Sequence, residues 1–169
     1  MSYKNIPFGT LEKFNVVVEI PRNGAIKYEY DEEWGEIKVS SIFKDNFTFP
    51  CDYGFVPQTR GGDGDHLDVF VIGSQSVSLG TVVECRAIGM IELLDRGEKD
   101  DKILAVPVAD PASQNIKTLE DLSFDYKTIF KEFFQELGVQ RNKTMEIKRY
   151  KDATVAMEEL KLAHENYKK

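Results

Sequence analysis

About two thirds of the way along the chain the spacing of apolar residues changes, and that change sets the fold class. Before it, apolar positions come in short runs rich in β-branched residues. The run 14–20 (Phe-Asn-Val-Val-Val-Glu-Ile) is closed by Pro21, and in 26–30 Lys27 and Glu29 alternate with Ile26, Tyr28 and Tyr30. Alternation places Lys27 and Glu29 on one face of a strand. Further strands are expected at 37–43, 67–72, 81–92 and 102–108, each bounded by Gly, Asp or Pro. After the change the spacing is helical. Ser123 is expected as an N-cap, followed by Tyr126, Ile129, Phe130, Phe133 and Leu137 on one face, with Gly138 as the stop. Asp152 is expected to cap a second helix with Ala156, Leu160, Ala163 and Tyr167 along one stripe. Strands this short and this closely spaced suit a small closed barrel better than an open sheet. The expected class is α+β, a β-barrel first and flanking C-terminal helices packed on it.

At 169 residues the chain fits one domain, 1–169, with enough length to bury a real core. With 41% hydrophobic residues, 12 Gly and 6 Pro it does not have the composition of a disordered or low-complexity chain. No run approaches the roughly 18 apolar residues of a membrane span. The opening segment MSYKNIPFGT lacks a charged region followed by an apolar stretch, so a cytoplasmic protein is expected. Cys51 and Cys85 have neither CxxC nor zinc-type spacing and are expected to be reduced, buried thiols. The 29 acidic against 22 basic residues, a net charge of -7, argue against nucleic acid as a partner, because such binding relies on Lys and Arg neutralising phosphates. A small polyanion is compatible with this charge only where divalent cations or a local basic cluster reverse the sign.

The chemically informative segment is Arg60-Gly61-Gly62-Asp63-Gly64-Asp65-His66-Leu67-Asp68, in which three carboxylates sit on a Gly-rich turn that runs into an apolar strand. Mg²⁺ favours oxygen ligands in a compact octahedron and keeps several waters, and clustered Asp on a braced loop can meet that demand. An EF-hand is excluded, since the DxDxDG order and the Glu at loop position twelve are missing. A second acidic group lies in 95–102, with Asp95, Asp100, Asp101 and Lys102. Spacing alone leaves two readings for each cluster, a metal site or a solvated acidic turn.

Over nearly its whole length the chain resembles the family I soluble inorganic pyrophosphatases. The resemblance is carried by Val18-Glu19-Ile20-Pro21, Ile26-Lys27-Tyr28-Glu29, Phe49-Pro50-Cys51-Asp52-Tyr53-Gly54-Phe55, the Asp63-Gly64-Asp65-x-x-Asp68 signature, and Asp95-x4-Asp100-x-Lys102 ahead of Ala105-Val106-Pro107. It implies a five-stranded closed barrel of the OB type and Mg²⁺-dependent hydrolysis of pyrophosphate to two phosphates. It further implies that Asp63, Asp65, Asp68, Asp95 and Asp100 bind metal and that Asp65 also takes the proton of the attacking water. Glu19 and Glu29 would hold further metal or its water shell, and Lys27, Tyr53 and Lys102 would contact phosphate. Two ions sharing one water lower its pKa and clamp the attacking and leaving oxygens. Relatives of this size commonly form homohexamers, which is the expected assembly here. The His residues often found on the first helix read as Glu132 and Glu136.

Departures from the family pattern fall mostly on groups that hold phosphate, with one in the stiffening of the 63–68 turn. Ser41 stands where an Arg is usual, Phe49 where a Tyr is usual, Leu137-Gly138 where a Tyr-Lys pair is usual, and His66 where a Pro is usual. Charge-assisted contacts to phosphate are worth about 1.5–3 kcal/mol each, so uncompensated losses would slow the reaction severely. Arg22, Lys38, Arg60, Arg141 and Lys143 lie near the affected segments as candidate replacements or as solvated surface charge. His66 is open to three roles: donor to a phosphate oxygen, ligand to Mn²⁺ or Zn²⁺, or a ring facing water. Other readings of the same metal centre are a hydrolase of nucleotides, polyphosphate or organic diphosphates, and a catalytically impaired paralogue.

Overall fold

The run Phe14–Ile20 forms β1, and its near-continuous burial reflects packing on both faces. The computed structural model describes residues 2–168. Strands β2 (Ile26–Asp31) and β3 (Glu36–Ile42) pair antiparallel as a separate two-stranded hairpin, with Lys27 opposite Ser41 and Glu29 opposite Lys38. Strands β4 (Asp52–Val56), β5 (Leu67–Val71), β6 (Val82–Asp95), β7 (Glu98–Lys99), β8 (Lys102–Pro107) and β9 (Met145–Asp152) complete the strand set. Pairings run β1–β4–β5–β8–β6, and β6 also pairs β1, so the sheet is ring-like. The β5–β8 pair is parallel and sets Asp68 opposite Lys102.

Two helices cover this sheet. Helix α1 (Tyr126–Gln140) is capped by Asp125, whose carboxylate accepts from the Thr128 amide at 3.1 Å, so the cap lies two residues beyond the expected Ser123. Its face of Tyr126, Phe130, Phe133, Phe134 and Leu137 is buried against Phe49, Phe70 and Leu104. Each such Phe contributes about 1.5–3 kcal/mol through burial, which fixes the helix against the sheet. The expected stop at Gly138 is not observed. The helix passes through it to Gln140, and the chain then folds back so that a Cβ at Gly138 would lie 2.6 Å from the Lys143 carbonyl oxygen. Glycine there supplies clearance rather than termination. Helix α2 (Ala153–Tyr167) is capped by Asp152 as the sequence indicates, and Ala156, Leu160 and Ala163 are buried with Val16, Val69 and Ile103. Alternation along β5 and β8 divides the core. Phe70 and Leu104 join the α1 cluster, while Val69, Val71, Ile103 and Ala105 join the α2 cluster.

Cys51 and Cys85 are free and buried, and burial pushes both thiols well above their usual range. Among the described residues no helix is long and apolar enough to cross a membrane.

Candidate metal and phosphate site

The strand ends and loops leave one large cavity, about 810 Å³, and all ten residues singled out from the sequence line it: Glu19, Lys27, Glu29, Tyr53, Asp63, Asp65, Asp68, Asp95, Asp100 and Lys102. They come from β1, β2, β4, β5, β6, β8 and two separated loops.

The 63–68 turn is shaped by its own residues. The Asp65 amide donates to Asp63 Oδ1 at 3.0 Å, Gly64 adopts φ +86°, and the Gly61 amide donates to the Asp65 carbonyl at 2.8 Å. Burial, and then the neighbouring Asp63 and Asp68 charges, raise the Asp65 carboxyl above its usual range. Asp95 ends β6 at a two-residue hairpin turn, Arg96-Gly97, where both residues have positive φ (52° and 83°). Its Oδ2 accepts from Lys143 Nζ at 2.5 Å. Its Oδ1 is buried without a hydrogen-bond partner, with Arg96 Nε 3.5 Å away.

Lys102 joins the two acidic segments. It is only 5% exposed, and its ammonium donates to Asp68 at 2.5 Å and Asp100 at 3.0 Å. Burial opposes its charge, but Asp68, Tyr53 and Asp100 outweigh burial and hold its pKa well above the usual lysine value. Tyr53 lies beside it, with the ammonium 5.7 Å from the ring, and burial together with Asp68 keeps the phenol protonated. Asp100 is raised by its own burial despite Lys102. Glu19 is 6% exposed and accepts from the Tyr30 amide at 2.7 Å. Burial, then Asp68, push its carboxyl up to about 8. Lys27 and Glu29 form an ion pair on the cavity face of β2; burial opposes the Glu29 charge, but Lys27, Ser40 and Arg141 together outweigh it and lower the carboxyl.

Among the described residues no three carboxylates already stand together as an ion-binding group. Lys102 and Lys143 instead draw Asp68, Asp100 and Asp95 onto themselves. The residues nevertheless fit a hard divalent cation. The donors are all carboxylate oxygens, one of them buried and unpartnered, and burial followed by mutual repulsion raises the Glu19 and Asp65 carboxyls.

The remaining sequence candidates separate cleanly. Lys38, Arg141 and Lys143 line the cavity, whereas Arg22 and Arg60 do not. Arg60 is held by Glu32 at 2.8 and 3.0 Å. Arg22 points its guanidinium at the Gly73 carbonyl, 3.4 Å away, in a separate groove. His66 does not face open water. Its Nδ1 lies 2.9 Å from the Thr59 carbonyl, its Nε2 lies 2.8 Å from Glu32, and its ring stacks on Phe55. Arg96 also lines the cavity and was missed from the sequence. The available signal was its place in a tight Asp-Arg-Gly turn directly after Asp95.

The chain is similar to known proteins along its length. The family model described as inorganic pyrophosphatase matches residues 16–168. An inorganic pyrophosphatase of Aquifex pyrophilus is 38% identical, with 100% of this chain and 98% of that protein covered. One from Saccharolobus solfataricus is 39% identical, with 93% of each covered. The crystal structure of inorganic pyrophosphatase from Thermus thermophilus superposes with a TM-score of 0.89 at 29% identity over 100% of both chains.

Proposed function

The chain belongs to the inorganic pyrophosphatase family, and we propose that this inorganic diphosphatase, a hydrolase of phosphoric anhydrides, splits pyrophosphate into two phosphates with Mg²⁺ held by its carboxylates. The observation that carries the metal-site reading is that two acidic segments about 30 residues apart share one lysine, with Asp68 and Asp100 both bonded to Lys102. Asp63, Asp65, Asp68, Asp95 and Asp100 would hold the ions, with Glu19 and Glu29 supporting further metal or its waters. Bound Mg²⁺ supplies charge that offsets the anionic substrate and lowers the pKa of an attacking water; Mn²⁺ or Zn²⁺ are possible substitutes. Asp65 would receive the proton of that water, and burial beside Asp63 and Asp68 raises its carboxyl above the usual range, in the direction a general base needs. Lys27, Lys102 and the Tyr53 hydroxyl bind phosphate oxygens. Lys102 is already charged and fixed, so it needs little reorganisation to do so.

The ring-like sheet is read as the five-stranded closed OB-type barrel, with α1 and α2 flanking it in a single domain. The assembly is read as a homohexamer, and the setting as cytoplasmic. A phosphate-release panel tests the function. It would compare pyrophosphate, tripolyphosphate, nucleotides and sugar diphosphates, each with Mg²⁺, Mn²⁺ and Zn²⁺. Pyrophosphate with Mg²⁺ is expected among the best pairs, and a nucleotide or organic diphosphate well ahead of it would overturn the substrate assignment.

A further inference from the structure

Seven lysine and arginine side chains line the cavity: Lys27, Lys38, Arg96, Lys99, Lys102, Arg141 and Lys143. Six of them have a carboxylate within 4 Å. Lys38 is on Asp31 at 2.5 Å, Lys143 on Asp95 at 2.5 Å, and Lys99 lies between Asp101 and Glu159 at 3.4 and 3.5 Å. Arg96 stands 3.5 Å from Asp95, while Lys27 and Lys102 are paired as described above. Among the described residues Arg141 is the one cavity-lining cation without such a partner. An unpaired guanidinium keeps its donor fork free, and that fork matches a phosphate better than an ammonium does.

Arg141 is held where it can reach the substrate. It caps α1, with its amide on the Leu137 carbonyl at 3.0 Å, and the following Asn142 takes a positive φ of 51°. The loop is then pinned from both sides. The Lys143 amide donates to the Gly138 carbonyl at 2.9 Å, and the Arg96 amide donates to the Thr144 carbonyl at 2.9 Å. The close approach of Lys143 to the helix exists only because position 138 has no Cβ. Across the cavity, the Arg141 charge helps lower the Glu29 carboxyl. Its field therefore reaches the β2–β3 face where Ser41, opposite Lys27, offers only a buried hydroxyl with no partner.

We propose that Arg141 grips a phosphate of the substrate from the rim loop after α1, supplying the guanidinium that β3 does not provide at Ser41. The inference rests on the pyrophosphatase reading. It makes Leu137-Gly138 part of a relocated grip, since the glycine lets the arginine-bearing loop close onto the helix.

The test is calorimetric binding of methylenediphosphonate, a non-hydrolysable pyrophosphate analogue, to the full chain with Mg²⁺, beside a pyrophosphate turnover assay. Arg141→Ala is expected to weaken the analogue by about tenfold to a hundredfold, the range of a lost charge-assisted contact. Mg²⁺ affinity measured without analogue should not weaken, since loss of a nearby cation can only favour the metal. Arg141→Lys should recover part of the loss, and adding Ser41→Arg to Arg141→Ala should recover more. Analogue affinity within twofold of wild type for Arg141→Ala, in an enzyme that turns over pyrophosphate, would overturn the Arg141 assignment alone. A wild-type enzyme inert toward pyrophosphate with Mg²⁺ would remove both the function and this inference.

Discussion

Glu19 carries a proton that a metal would have to displace. Its carboxyl is raised from 4.5 to about 8, so in the metal-free protein at pH 7 it is mostly protonated. The folded state then holds a proton that the unfolded chain has already lost. Stability of the metal-free protein should therefore fall as pH rises from about 4.5 to about 8. Mg²⁺ binding at pH 7 should release that proton. Titrations in buffers of different ionisation enthalpy will show the release, which should shrink above pH 8 and be smaller in Glu19→Gln; identical proton counts for both proteins would refute it. Lys102 presents the complementary case. Lys102→Met would leave Asp68 and Asp100 facing each other without their shared cation, and should cost about 1–3 kcal/mol in chelator, measured by urea unfolding. Added Mg²⁺ should restore much of that loss, and an equal loss with and without the metal would argue against a metal site. At this scale the sequence was informative. The ten residues all lie in the short motifs that carry the family resemblance, and all ten line the cavity. The environment of His66 was not legible, because its partners Thr59 and Glu32 are brought to it by the fold.

The loop after α1 shows how elements outrun local signals. A glycine in a helical pattern ordinarily marks an end, and Gly138 was read that way. Its role follows instead from a contact with Lys143, five residues on, that periodicity does not encode. Gly138→Ala gains up to about 1 kcal/mol of helix propensity, yet it must push the Lys143 carbonyl aside. Net destabilisation of about 1–3 kcal/mol is expected from overpacking. Thermal unfolding checks this, and a stabilised variant would show that the loop moves freely. Three strands escaped the sequence reading, the shortest being β7, only two residues long after a tight turn. β4 is five residues overlapping the end of the Phe49–Phe55 motif, too short to show a period. β9 is mostly charged, because only part of it packs and its backbone is satisfied by pairing with β6. Among the strands that were found, β1 and β8 stand out by nearly continuous burial, whereas β2 was legible from its alternation alone.

Taken as a whole, the molecule uses a ring-like sheet to bring together segments that are far apart in sequence, and it does so with a net charge of -7. That charge would repel a pyrophosphate anion unless cations stand between protein and substrate. Helix α1 lies on one side of the strands and leaves Glu132 and Glu136 exposed, where a hexamer of the proposed kind would bury or neutralise them. Light scattering behind size exclusion should give a single hexameric mass at neutral pH, and a monomer there would remove the proposed assembly without touching the site. The fold class was legible from the change of period, whereas the course of the sheet was not, since the β5–β8 and β1–β6 pairings join strands whose order no local pattern announces. The central claim is that carboxylates of two separate loops hold divalent ions around one activated water. It is tested most directly by phosphate release from pyrophosphate, comparing wild type with Asp65→Asn, in Mg²⁺ and in chelator. The account predicts turnover for wild type in Mg²⁺ alone, and a fall of at least about 100-fold for Asp65→Asn; equal rates in chelator, or an Asp65→Asn protein as fast as wild type, would contradict it.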